Sequence, residues 1–226
     1  MGVARLPVVG RAAMSLKARV DRKRFSGSGD FWEEHYKDGG LSGPGSYGQL
    51  AAFKAEALNT FVRDEHIASV IEFGCGDGNQ LTLADYPSYV GLDISASAIE
   101  MCRKRFAEDH SKVFHVYDPV RFDVADNSAD LALSLDVIYH LVEDSVFERH
   151  LEHLFGSATR FVAIYSSDEA IPSQLPFVRH RKFTADVERR FPDWELQRVI
   201  ENPYPWSGNV DTGSHADFFF FGRAPS

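Results

Sequence analysis

The stretch IEFGCGDGNQ, residues 71–80, sets the tightest limit on how this chain can fold. Gly74, Gly76 and Gly78 alternate with Cys75 and Asp77, directly after the run Ser69-Val70-Ile71. A strand that enters a glycine turn and then a helix brings backbone N–H groups close to a ligand. A nicotinamide or flavin fingerprint, G-x-G-x-x-G, needs glycine at position 79, where this chain has Asn79. Glu72 stands two residues before the first glycine, an acid where a pyrophosphate would prefer positive or neutral groups. The turn is built like a nucleotide site but carries the wrong charge for a phosphate.

The 226 residues, 44% hydrophobic, suit one α/β domain with added segments. A formal charge of −9 and a pI near 5.4 speak against a broad nucleic-acid-binding surface. Cys75 and Cys102 match neither a zinc spacing nor a disulfide framework, and they fit a reduced cytoplasm, the expected location. No apolar run approaches the roughly 18 residues of a membrane helix. The opening MGVARLPVVGRAAMSLKARV is basic, and its apolar run between Arg5 and Arg11 is too short for a signal peptide. Residues 1–24 read as a basic, flexible arm.

Beyond residue 50, strands and helices alternate. Lys54 to His66 has helical apolar spacing. Strands are expected at Ser69–Phe73, Tyr89–Asp93, Val113–Tyr117, Leu131–Leu135 and Arg160–Tyr165, the last two as continuous apolar runs buried on both faces. Helices are expected after Ser95, an N-cap serine, at Ser145–Phe155, and at Thr184–Phe191 with Thr184 as cap. Trp194–Ile200 and Ala216–Phe221 close the sheet around the long turn ENPYPWSGNVDTGSH. The expectation is one doubly wound, mostly parallel α/β sheet. Glycines 39, 40, 43, 45 and 48, with Pro44, argue against regular structure before it, while Trp32 and Tyr36 fall on one face of a short helix.

The segments EFGCGDG (72–78), GLDIS (91–95), DNSADLALSLDVIYHL (126–141) and RFVAIYSS (160–167) resemble, in order, the motifs of class I S-adenosylmethionine-dependent methyltransferases. The resemblance spans roughly residues 50 to 221. It implies a Rossmann-like sheet of seven strands, the last antiparallel, with S-adenosylmethionine bound over the carboxyl ends of the first strands. That donor has no phosphate; it carries a sulfonium and an ammonium, which suits an acid beside the turn. By the same resemblance Glu72 lies near the methionine end, Asp93 accepts from both ribose hydroxyls, and Asp118 takes the adenine amino group. Gly74, Cys75, Gly76, Ile94 and Leu135 complete the donor set. Residues 25–50 become a glycine-rich lid over the donor, mobile until it binds, before a core at 51–226. Tyr36, Ser42 and Ser46 are its candidates for the methionine carboxylate.

Methyl transfer is an in-line displacement, so the enzyme must position the acceptor and, for a hydroxyl, remove a proton. His140, after the fourth strand in LDVIYHL, is the candidate base, with an acid limb expected near 6.5 unless burial or Asp136 shifts it. Asp136 would orient His140, bind acceptor hydroxyls, or join Asp168 in holding a divalent ion such as magnesium. The expected reaction is O-methylation of a small polar molecule. The chain is also similar to bacterial enzymes that O-methylate saccharides, and Tyr36, Tyr47, Tyr139, Tyr165 and Trp206 suit stacking on a sugar ring. The alternatives are N-methylation of a small molecule, methylation of nucleic acid or protein, and a non-catalytic donor-binding partner subunit. NPYP at 202–205 lies after the sixth strand rather than the fourth, so it reads as a turn and not as the motif of amino-methylating DNA enzymes. No nucleic-acid partner or membrane span is expected, and no oligomeric state follows.

Overall fold

The computed structural model describes residue 25 and residues 27–224; the arm expected at 1–24 lies outside the described residues. Helix α1 is Ser28–Lys37 and α2 is Gly48–Asp64. The alternating core follows as β1 (Val70–Phe73), β2 (Tyr89–Asp93), α3 (Ala96–Arg105), β3 (Lys112–Val116), β4 (Ala129–Leu135), α4 (Asp144–Ser157), β5 (Ala158–Ser166), α5 (Phe183–Arg190), β6 (Trp194–Ile200) and β7 (Asp217–Arg223). The seven strands form one sheet in the order β3-β2-β1-β4-β5-β7-β6. β1 pairs in parallel with β2 and β4, and β7 runs antiparallel between β5 and β6. The α/β fold expected from the sequence is the fold found.

The apolar runs explain the layers. All four residues of β1 are buried, as are most of β4 and the second half of β5, because helices cover both faces. β7 shows the period-two logic within DFFFFGR. Phe218 and Phe220 join Leu58, Phe61 and Ile99 on one face, while Phe219 and Phe221 join Leu151, Leu154 and Phe183 on the other. No helix among the described residues is long and apolar enough to cross a membrane.

The order in which strands are added reverses between the parallel neighbours β1 and β4, so their carboxyl ends open a crevice at this switch point. Ser95 caps α3 there, its hydroxyl accepting from Ala98 N at 3.0 Å. Before the core, the glycine-rich stretch holds one short 3-10 turn, Pro44–Ser46, where no regular structure was expected. Proline presets the first turn position, which accounts for it.

The cap expected of Thr184 is corrected. Thr184 lies inside α5, and Asp168 reaches over from the end of β5 to accept from Thr184 N at 2.9 Å and its hydroxyl at 2.6 Å. A carboxylate outcompetes a local hydroxyl for an orphan N–H at a helix start. Asp168→Ala should therefore cost on the order of 1 kcal/mol, read as a lowered midpoint in urea unfolding; an unchanged midpoint would mean α5 needs no cap from β5.

Candidate active site

Every backbone N–H of the glycine turn is already spoken for. Gly74 N and Cys75 N donate to Leu92 O at 2.7 and 3.0 Å, and Gly78 N donates to Cys75 O. Gly76 N donates to Asp93 Oδ2 at 2.9 Å, Asp77 N to Ser42 Oγ at 3.0 Å, and Asn79 N to Asp77 Oδ1 at 2.8 Å. A turn in this state has no N–H left to cradle a pyrophosphate. Its glycines serve close approach instead. A Cβ on Gly74 (φ +89°) would lie 2.4 Å from Val137 Cγ2, and one on Gly76 (φ +57°) would lie 2.3 Å from Ser42 Oγ.

Asp93 ends β2 with each carboxylate oxygen holding one N–H, Oδ2 from Gly76 and Oδ1 from Ser95 at 2.9 Å. Burial pushes its carboxyl up to about 6 against the pull of those two bonds. Each oxygen keeps a further lone pair, and Asp93 lines a cavity of about 940 Å³ together with Gly74, Cys75, Gly76 and Ile94. Glu72 lines the same cavity, accepting from Tyr89 OH at 2.6 Å. Burial raises Glu72 to about 7, Tyr89 and the Lys54 charge opposing. Two acids forced toward their neutral forms await a group that hydrogen-bonds or carries positive charge.

The segment before α2 is tied onto this turn. Asp77 Oδ2 accepts from Ser42 N at 3.0 Å and from Tyr47 OH at 2.7 Å, while Asn79 Nδ2 donates to Ser46 O at 2.7 Å. Burial would raise the Asp77 carboxyl, but those donors and Asn79 N hold it below the usual range. Tyr36, Ser42 and Ser46 thus line the cavity from above. α1 is anchored on both sides of it: Ser28 N donates to Glu143 Oε1 at 3.0 Å, and Ser97 Oγ donates to Glu33 Oε1 at 3.0 Å.

On the opposite wall, Leu135, Asp136 and His140 line the cavity. His140 Nδ1 lies 2.9 Å from Phe177 O, so Nδ1 carries the hydrogen and Nε2 the lone pair. The ring sits edge-on to Trp32 at 4.7 Å. Burial lowers its pKa to about 4, although Phe177 O and the Asp136 charge pull upward. Asp136 adopts φ +59°, accepts from Tyr139 OH at 2.9 Å, and pairs with Lys54 Nζ at 2.6 Å.

Two expectations need correction. Asp118 is not brought to the cavity: its Oδ1 accepts from Val120 N at 2.9 Å and its side chain is half exposed, while Tyr117 and Pro119 do the lining. Asp-Pro favours such a turn, and the carboxylate is spent on it. Asp168 does not join Asp136, being engaged at α5. Among the described residues no group of three or more His, Cys, Asp or Glu is placed to hold a metal ion. Of the aromatics expected at the margin, Tyr36, Tyr139 and Trp206 line the cavity. Tyr47 bonds Asp77, and Tyr165 is buried beneath Lys54.

Lys54 escaped the sequence reading. It is 1% exposed on the buried stripe Leu50, Ala51, Lys54, Ala55, Leu58. A lysine on an apolar helical stripe was the available signal, since lysines are rarely buried unless paired. His180 and His215, in flanking segments expected at the pocket rim and read as ordinary surface residues, also line the cavity.

The sequence profile of the methyltransferase domain matches residues 70–158. A small RNA 2'-O-methyltransferase of Arabidopsis thaliana is 29% identical over 130 residues, a match covering 48% of this chain and 14% of that protein. Among solved structures, the methyltransferase domain of bacterial CtHen1 superposes with a TM-score of 0.59 at 18% identity, over 75% of this chain and 97% of that one. The N-methyltransferase NodS from Bradyrhizobium japonicum, in complex with S-adenosyl-L-homocysteine, gives 0.63 at 13% identity, over 78% and 88%. Strand order and these superpositions show that the chain has the Rossmann-like α/β fold of its methyltransferase neighbours, with the methyltransferase-domain match falling on its first half, β1 to the start of β5.

Lys54→Met would leave Asp136 without its cation in a mostly buried setting. The expected loss is about 3 kcal/mol in chemical denaturation, partly recovered by Asp136→Asn on the same background. Additive losses would show that the pair does not couple α2 to the end of β4.

Proposed function

We propose that this protein is an S-adenosylmethionine-dependent methyltransferase that methylates a hydroxyl of a small, uncharged acceptor, a saccharide being the class its aromatic margins suit. The observation that carries the reading is the convergence of Asp93, Glu72 and His140 on one cavity beneath the 36–46 segment. At about 940 Å³ it lies near the top of the range for ligand pockets, room for a donor and an acceptor together.

When bound, the donor supplies a methyl group on a sulfonium that leaves as a neutral thioether. Asp93, with a lone pair on each oxygen, holds the ribose hydroxyls, and Ile94 packs beside them. Glu72 and Asp136 set a negative floor for the cationic end, and a cation there draws Glu72 back to its ionised form. Tyr36, Ser42 and Ser46 close over the methionine carboxylate. His140 Nε2 would take the acceptor's proton as the methyl group that the donor supplies is transferred to the hydroxyl oxygen. A hydroxyl needs that base and a neutral amine does not, which favours oxygen. Lys54 is the one Lys or Arg among the described lining residues, and Asp136 already occupies it. That disfavours a phosphate-rich acceptor such as RNA.

His140→Ala should keep S-adenosylhomocysteine affinity within a few-fold and lose about 10²–10⁴ in rate, followed as label moved from tritiated donor to an acceptor pool. The base must be neutral, so activity should persist below the ordinary histidine range and fall as pH drops through about 4. Folding stability moves in two directions over that range. His140 and His150 protonate first in the unfolded chain and weaken the fold as pH falls below 6.5. Glu72 and Asp93 protonate first in the folded chain and strengthen it as pH falls through about 7 and about 6. Far-UV circular dichroism at each pH separates unfolding from loss of the base. Near-normal turnover in the variant with an unaltered acid limb would remove His140 from the chemistry.

A further inference from the structure

Residues 201–216, between β6 and β7, lie outside the matched segment and have no part in the donor binding or proton transfer described above. The loop is nevertheless braced. Asn202 N donates to Asp217 Oδ1 at 2.7 Å, Ser214 N to Tyr204 O at 3.0 Å, and Gln49 Nε2 to Thr212 O at 2.8 Å. A Cβ on Gly213 would lie 2.5 Å from Pro205 O, so the chain is closely folded on itself there.

What this bracing presents is Trp206, 42% exposed, with its ring stacked on His215 at 5.0 Å. From that pair a line of rings runs inward: His215 to His180 at 5.7 Å, His180 to Tyr139 at 5.7 Å, and Tyr139 to His140 at 4.6 Å. The hydroxyl of Ser167 lies 2.6 Å from His180 Nδ1 and fixes that ring. All five ring residues line the cavity. Among the described lining residues that follow position 136 in sequence, none is Asp, Glu, Lys or Arg. A wall of rings without Asp, Glu, Lys or Arg, ending in an exposed tryptophan, favours a neutral ligand with a flat face. Three rings separate Trp206 from His140, too many for a single ring to meet both.

We propose that Trp206 and His215 form a second acceptor subsite, holding one ring of a neutral acceptor of at least two rings while another part of it meets His140. This rests on the methyltransferase reading. A pyranoside and an aromatic ring both offer the flat face, and stacking is their shared chemistry.

The test is saturation-transfer NMR on the full chain, with and without S-adenosylhomocysteine, using two probe pairs: methyl glucopyranoside against cellobiose, and phenol against para-phenylphenol. One pair should show its two-ring member binding about threefold to tenfold more tightly, the range of a stacked pair, and which pair responds assigns the ring type. Trp206→Ala should abolish the preference and Trp206→Phe keep most of it, with S-adenosylhomocysteine affinity equal in all three proteins. Equal binding of one-ring and two-ring probes, no transfer to any probe, or a preference that survives Trp206→Ala would overturn the subsite. Failure of the unmutated protein to bind S-adenosylhomocysteine counts separately, against the donor reading, because the ring probes are also measured without it.

Discussion

The bond from Gly76 N to Asp93 Oδ2 organises this molecule's chemistry. It joins the turn after β1 to the end of β2, and with Ser95 N on the other oxygen it fixes the carboxylate at the mouth of the cavity. A dinucleotide fold keeps its turn amides for phosphate. Here they go to Leu92 O, Asp93, Ser42 and Asp77, so the turn offers a ligand acceptors and apolar surface in place of donors. The same glycine geometry is thereby set up for a ligand rich in hydroxyls and positive charge.

Asp77 extends the arrangement outward. Its carboxylate ties Ser42 and Tyr47 to the turn, so a segment that would otherwise be loose glycine-rich chain forms a wall of the site. α1 completes the wall between Glu143 at one end and Ser97 toward the other, with Phe31 stacked on Phe177 at 4.4 Å and Trp32 against His140. This segment is therefore continuous with both halves of the cavity, held there by charge-assisted bonds. Lys54 does the equivalent job from beneath, joining α2 to the end of β4 through Asp136.

Much of this was legible in the chain. The apolar runs of β4 and β5 and the placement of β2 followed from composition and period, because strands buried on both faces leave an unbroken hydrophobic trace. The seven-strand order with an antiparallel β7 came through the resemblance. Glu72, Gly74, Gly76 and Asp93 meet at one cavity because they sit on a single strand–turn–strand unit, where spacing determines geometry. Asp118 misled, since the Asp-Pro step that places an acid after β3 also lets the backbone claim it. Lys54 reaches the site from a helix that precedes the core strands, and no local pattern records such convergence. The depressed His140 pKa was invisible for the same reason: it comes from burial, to which the Trp32 and Phe177 rings from distant segments contribute.

The most direct measurement of the central claim is calorimetric titration of S-adenosylhomocysteine into the unmutated protein and into Asp93→Ala, each checked for folding by its thermal melt. Loss of a charge-assisted pair of ribose bonds costs on the order of 2–3 kcal/mol, so the account predicts a saturable complex weakened at least about tenfold by the substitution, and no heat from a nicotinamide dinucleotide. Equal affinity in the two proteins, or tight binding of the nicotinamide dinucleotide, would contradict it.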